Sequence, residues 1–166
     1  GSHFWLTLPR ERVEGPDRRP VAPAISAAHR QAEEDEDGRA PLVLVVEDNE
    51  VNQQVATAIL RRMGCEVDVA ANGRECLAAL EQSRYDLVFM DCHMPVMDGF
   101  AATAAIRALE ARLGRARQPI AALTADTVDG DAERCLATGM DDYLAKPFGL
   151  GDLRAVLERW LPRRIA

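Results

Sequence analysis

From residue 42 to residue 160, short apolar runs alternate five times with longer stretches whose apolar residues recur at helical spacing. Leu42 to Val46, Glu66 to Ala70, Asp86 to Met90, Ile120 to Leu123 and Asp142 to Ala145 have strand length and end at turn residues. Short Val/Leu/Ile runs of this kind predict parallel strands buried on both faces. The segments between them predict helices over about 51–63, 73–81, 100–113, 131–137 and 150–160. In the first helix Val51, Val55, Ile59 and Leu60 fall on one face, expected to be the core face, and Gly64 supplies the stop. Asp98 is placed to cap the third helix, and Gly139 ends the fourth. Five βα units joined by right-handed crossovers predict the α/β class: a doubly wound, five-stranded parallel sheet with helices on both faces.

Upstream of this alternation the pattern is different. Residues 10–40 are proline-rich, poor in large apolar side chains, and carry the acidic run Glu33-Glu34-Asp35-Glu36-Asp37. Such a stretch cannot bury enough surface to offset its ordering entropy, so it reads as a flexible linker with a solvated acidic spacer. The globular part is expected over 41–162, with a short tail at 163–166.

Composition narrows the function classes. A hydrophobic content of 48% suffices for an ordinary core without staples. The formal charge of -7, with no basic stripe, argues against nucleic acid as a partner. Cys65, Cys76, Cys92 and Cys135 are scattered and form no CxxC pair, so they are expected to be reduced thiols of a cytosolic domain. No apolar stretch approaches the ~20 residues of a membrane span, and no signal-peptide pattern is present, so no direct membrane contact is expected. One detail stands out among the 20 basic residues: Lys146 is the lone lysine, and all the others are arginine. An ammonium is a compact point charge on a flexible stem, whereas a guanidinium is a broad planar fork, so position 146 suggests a steric need.

The ends of the predicted strands carry the chemistry. The first runs into Glu47-Asp48, the third into Asp91, the fourth into Thr124, and the fifth into Lys146-Pro147. Ligands of open parallel sheets bind at the carboxyl ends of the strands, so these groups should meet on one rim. Three crowded carboxylates oppose one another's ionisation, and magnesium, which takes carboxylates, waters and phosphate oxygens, would relieve that cost. Asp91 is then the candidate nucleophile toward phosphorus, giving an acyl phosphate. Thr124 could donate to a phosphoryl oxygen, and Lys146 could pair with the acids before reaction and with the phosphoryl group afterward. Plainer readings stand beside these: Glu47-Asp48 or Asn49 as helix caps, Thr124 as an ordinary strand-end residue, and Tyr143 as a sheet residue.

These elements, with Met94-Pro95-Val96-Met97-Asp98-Gly99 after Asp91 and Phe148 after Lys146-Pro147, resemble the receiver domain of two-component response regulators over about 41–162. The resemblance implies a (βα)5 flavodoxin-like fold and a bacterial, cytoplasmic phosphorelay. It implies that Asp91 is the phosphoacceptor, that Mg²⁺ lies among Glu47, Asp48, Asp91 and the backbone carbonyl of His93, and that Thr124 and Tyr143 form a switch pair. Lys146 would contact the phosphate, across a cis bond to Pro147. His93 and Asp126 would line the path of the attacking water and set the phosphoryl lifetime.

Residues 1–9, containing Phe4-Trp5-Leu6-Thr7-Leu8-Pro9, resemble the last strand of the ATP-binding catalytic domain of histidine kinases. The expected whole is the carboxyl-terminal receiver of a hybrid sensor histidine kinase, with no output module after it. It would take phosphate from a histidine kinase phosphodonor, its own parent chain, and relay it to a histidine phosphotransfer protein. A free-standing response regulator acting by protein contact is one alternative, and an aspartyl-nucleophile phosphatase a more distant one. The domain itself is not expected to act as an independent enzyme beyond its own phosphorylation and dephosphorylation.

Overall fold

The computed structural model describes residues 39–125 and 131–162. The expected strand of residues 1–9 and nearly all of the linker lie outside the described residues. In chain order the elements are β1 (Leu42–Val46), α1 (Glu50–Arg62), β2 (Glu66–Ala70), α2 (Gly73–Gln82), β3 (Leu87–Asp91), α3 (Gly99–Leu113), β4 (Ile120–Thr124), α4 (Asp131–Thr138), β5 (Asp142–Ala145) and α5 (Leu150–Trp160). The alternation therefore folds as the apolar pattern predicts. Two strands end one residue later than expected, so Asp91 and Thr124 are the last residues of β3 and β4 rather than the first of the loops.

All four strand pairings are parallel, and the sheet order is β2-β1-β3-β4-β5. Alternation along the central strands sends successive side chains to opposite layers. Leu44, Val46, Val88, Met90, Ile120 and Ala122 pack with residues of α2, α3 and α4. Val43, Val45, Leu87, Phe89, Ala121 and Leu123 pack with α1 and α5. Because both faces are covered, every residue of β3 and β4 is buried.

One expectation holds only in part in α1, where Ile59 and Leu60 pack on the core but Val51 and Val55 do not. Its core face is Ala56 and Leu60, continued by Met63 just past the helix, while Val51 and Val55 are 66% and 45% exposed. The spacing of Ala56, Leu60 and Met63 is itself helical, and small Ala56 lets the helix lie close to the sheet. That choice turns Val51 and Val55 toward solvent. The caps are otherwise as read: Asp98 accepts from the Ala101 amide at 2.7 Å, and Gly64 and Gly139 end α1 and α4 at φ 84° and 105°.

The amino-terminal rim of the sheet is held by acids that serve structure. Asp141 accepts from the Ile120 amide at 2.9 Å and from Arg107 at 2.8 Å, tying α3 to the start of β4. Buried Asp142 accepts from the Trp160 indole at 3.0 Å and also pairs with Arg159, which pins the end of α5 to β5. The opposite rim is shaped by a close backbone approach. A Cβ built at Gly99 would lie 2.2 Å from the carbonyl oxygen of Asp91, and the Gly99 amide donates to the Cys92 carbonyl at 3.2 Å. Gly99→Ala is expected to cost about 2–3 kcal/mol by forcing α3 off the end of β3. Gly151→Ala, with nothing near its Cβ, should cost nothing. Urea denaturation of both variants checks this, and equal stabilities would contradict it.

Candidate functional site

The strand order reverses direction between β1 and β3, which places the carboxyl ends of these two strands side by side. Such a switch point opens the crevice in which ligands of open α/β sheets bind. Glu47 and Asp48 follow β1 directly, and Asp91 closes β3. One carboxylate oxygen from each of the three lies within 4.8 Å of the others. Glu47 and Asp91 are buried, while Asp48 is exposed at the mouth.

Lys146 spans the two buried acids. Its Nζ donates to Glu47 Oε2 at 2.6 Å and to Asp91 Oδ2 at 2.7 Å, with about a fifth of the side chain exposed. The lysine reaches this point because β5 pairs with β4 in register, Thr124 facing Ala145, and because the Lys146 amide donates to the Thr124 carbonyl at 2.7 Å. The Lys146–Pro147 peptide bond is cis, as the resemblance implies. Thr124, fully buried, stands between Asp91 and Lys146 on the intervening strand. Tyr143 is partly buried and packs on the layer that holds α2, α3 and α4.

The structure decides which residue caps α1. Asn49 accepts from the amides of Val51 and Asn52 at 2.9 and 3.2 Å, which leaves Glu47 and Asp48 to the site. Two residues that the sequence pattern did not single out hold Glu47 in place. Asn52 Nδ2 donates to Glu47 Oε1 at 2.9 Å, and Gln53 Nε2 donates to the Glu47 carbonyl at 2.6 Å. Their only sequence signal is a pair of amides in the first turn after a buried acid.

His93 belongs to the site through its backbone. Its amide donates to Asp91 Oδ1 at 3.2 Å, while its exposed imidazole meets the edge of Phe100 with ring centroids 5.9 Å apart. Further along this loop the Met97 amide donates to the Pro95 carbonyl at 2.8 Å, with Val96 between them at φ 70°. That is the strained hand of γ-turn, carried by a β-branched residue beside the acids. Asp126 lies outside the described residues.

The electrostatics follow from burial. Desolvation pushes the Asp91 carboxyl above its ordinary value; Lys146 and the His93 amide oppose the shift, and the Glu47 charge adds to it. Burial alone would lower Lys146, but its bonds to Asp91 and Glu47 outweigh that and raise it. The two directions are compatible, because the lysine answers two carboxylates whereas Asp91 answers one lysine and one like charge. Three carboxylates against one ammonium leave the rim with excess negative charge and hard oxygen donors, a setting suited to a small divalent cation. Among the described residues nothing donates to the Asp48 carboxylate.

Comparison with known proteins agrees with this arrangement. The family model described as "Response regulator receiver domain" matches residues 43–158. Hybrid signal transduction histidine kinase K of Dictyostelium discoideum is 39% identical over 162 residues, covering 95% of this chain and 13% of that protein. Sensor protein GacS of Pseudomonas syringae pv. syringae is 43% identical over 122 residues, covering 74% of this chain and 14% of that protein. The chain thus spans about one seventh of the length of these curated relatives, which come from a eukaryote and a bacterium. Among solved structures, the receiver domain of sensor histidine kinase PA1611 from Pseudomonas aeruginosa PAO1 is 47% identical, with a TM-score of 0.67 over 75% of this chain and 99% of that one. That structure has a magnesium ion coordinated in its active-site cleft. The receiver domain of Ssk1, co-crystallised with the histidine phosphotransfer protein Ypd1 of Saccharomyces cerevisiae, belongs to a complex matched at 32% identity and a TM-score of 0.72, covering 76% of this chain and 92% of that one.

A prediction follows from the lysine bridge. The folded Asp91 carboxyl holds its proton more tightly than the unfolded one, so its share of stability is complete below the ordinary carboxylate range and is lost as pH rises through the raised value. Lys146 acts in the same sense in a higher window: its share is present below the ordinary lysine value and is lost as pH rises through its raised one. Lys146→Met removes the counter-charge, so its deficit should be small near pH 4 and grow to about 3 kcal/mol near pH 8. Urea denaturation across that range measures it, and a deficit independent of pH would contradict the assignment.

Proposed function

The chain belongs to the response regulator receiver family, and on that premise we propose that Asp91 is its phosphoacceptor. The observation that carries this reading is the convergence of the Glu47, Asp48 and Asp91 carboxylates under the Lys146 ammonium. An Asp91 oxygen attacks phosphorus, the bond from phosphorus to the donor imidazole nitrogen breaks, and an acyl phosphate forms. Asp48 and Asp91 would hold Mg²⁺ directly, with the His93 carbonyl. Glu47, held in place by Asn52 and Lys146, would complete the surround of the ion. When bound, the ion neutralises the acids and the incoming phosphoryl oxygens.

The chain's own residues do the rest. The His93 amide and Lys146 orient the Asp91 carboxylate, one on each oxygen. After transfer, Lys146 exchanges its carboxylate partners for phosphoryl oxygens, and the Thr124 hydroxyl turns toward the same group. Tyr143, next to Lys146's strand end, follows Thr124 as the second half of the switch. By analogy with the family, His93 and Asp126 would govern the lifetime of the acyl phosphate.

The wider setting that fits best is the receiver of a hybrid histidine kinase in the cytoplasm, fed by its own kinase and emptied by a histidine phosphotransfer protein. In this organisation residues 1–9 are the end of the kinase catalytic domain, 10–40 the linker and 41–162 the receiver. The names of the similar proteins support this setting, as does the rim around the acids. Val51, Val96 and Leu150 are exposed apolar residues at the carboxyl ends of β1, β3 and β5, with Val55 one turn farther along α1. This apolar fringe around a charged centre suits a phosphotransfer helix that must bring an imidazole to Asp91.

Acetyl phosphate with Mg²⁺ is expected to label the chain with an acid-stable, base-labile phosphate. Asp91→Asn should abolish the label, and Asp48→Asn should remove both Mg²⁺ dependence and activity. Undiminished labelling of Asp91→Asn would sink the assignment.

A further inference from the structure

The residue after Asp91 makes a contact that the phosphoryl chemistry does not use. Cys92 Sγ lies 3.3 Å from Cys135 Sγ, although the two are 43 positions apart in the chain. Both are fully buried, and the structure has no disulfide. Cys92 is fixed at the exit of β3, its amide donating to the Leu123 carbonyl at 3.1 Å and its carbonyl accepting from Gly99 at 3.2 Å. Cys135 sits in α4, which is seated on the same layer by the neighbouring Arg134, whose guanidinium lies 4.0 Å from the centre of the Phe100 ring. The other two cysteines are unlike this pair. Cys65 packs in the opposite layer, and Cys76 lies on α2 with no other cysteine against it.

We propose that Cys92 and Cys135 form an oxidisable dithiol, and that a two-electron oxidant of the hydrogen peroxide class bridges them and so ties α4 to the strand end that carries Asp91. The sulfur of one cysteine attacks a peroxide oxygen, the O–O bond breaks, and a sulfenic acid and one water result. The second sulfur attacks the sulfenic sulfur, the S–O bond breaks, and hydroxide leaves with the remaining thiol proton as a second water. Two thiols are oxidised by two electrons, and one peroxide is reduced to two waters. Closing 3.3 Å to the about 2.05 Å of a disulfide asks for a small side-chain movement. The eight-residue α4 is the shortest of the described helices, so local opening there, which admits the oxidant, is the least costly. Bridges of this sort in reducing compartments are transient and sensing rather than structural.

The consequence for signalling rests on the phosphoacceptor reading above, because a bridged α4 cannot move relative to Asp91 when the site is loaded. The bridge itself does not rest on it. The test is peroxide treatment of the intact chain, followed by blocking of residual thiols and peptide mapping without reductant. The expected result is loss of two hydrogens in mass, a Cys92–Cys135 linked peptide, thiols retained at Cys65 and Cys76, reversal by dithiothreitol, and a melting temperature raised by several degrees. Cys135→Ala and Cys92→Ala should each lose the bridge. Retention of all four thiols, a bridge through Cys65 or Cys76, or linkage only between chains would overturn the proposal. A second arm compares amide NMR shifts on adding beryllofluoride and Mg²⁺. Residues 132–138 should shift in the reduced chain and much less in the bridged one; equal shifts would overturn the tether while leaving the receiver reading intact. Failure of Asp91 labelling in the reduced chain would count against that reading and leave the bridge unaffected.

Discussion

The ammonium of Lys146 touches two carboxylates that lie 99 and 55 positions before it in the chain. No local segment can make that contact; it exists only when β1, β3, β4 and β5 are paired in order and in register. Three carboxylates within 4.8 Å of one another would otherwise repel, and the single cation makes their assembly tolerable in a chain without metal. The bridge is also unfinished in a useful way. Asp91 remains above its ordinary pKa, Asp48 faces outward with no donor among the described residues, and the net charge of the cluster stays negative. A site that needs more positive charge than its own residues supply is consistent with the divalent cation and phosphoryl group proposed for it.

The same sheet shows the contrast at its other rim. The side chains of Asp141 and Asp142 are largely buried, like those of Glu47 and Asp91, but each is answered by arginine and by an amide or indole donor. Those carboxylates hold α3 and α5 to the strand starts. At the carboxyl rim the backbone is brought close instead, by Gly99 against the Asp91 carbonyl and by the strained turn at Val96. Acids that are fully answered mark one end of the strands, and an incompletely neutralised cluster marks the other.

Much of this was legible in the sequence for a physical reason. Strands buried on both faces must be apolar throughout, so a polar residue at the end of such a run has to sit at the rim, and the crossover rule then brings the rims together. Glu47, Asp48, Asp91, Thr124 and Lys146 could be placed on one rim this way, and the Mg²⁺ and phosphoryl roles proposed for them rest on their chemistry and the family resemblance. The facing of α1 was legible only in part: of Val51, Val55, Ile59 and Leu60, the last two pack on the core, while the first two give way to Ala56 and Met63, a choice that only packing on the sheet makes. Asn52, Gln53 and the Cys92–Cys135 contact were missed for a related reason. An amide in a helix and two distant thiols carry no periodicity, and their partners are chosen by tertiary contact.

The central claim is that Lys146 stands in the resting site for the positive charge that Mg²⁺ and a phosphoryl group later share. Calorimetric titration of Mg²⁺ into the native chain and into Lys146→Met, at a pH where the carboxylates are ionised, tests it most directly. The account predicts that the variant binds Mg²⁺ several-fold more tightly, because its acids have lost their competing cation and nothing else in the ligand set has changed. Equal or weaker binding by the variant would contradict it, and would mean that the lysine builds the site rather than holding its place.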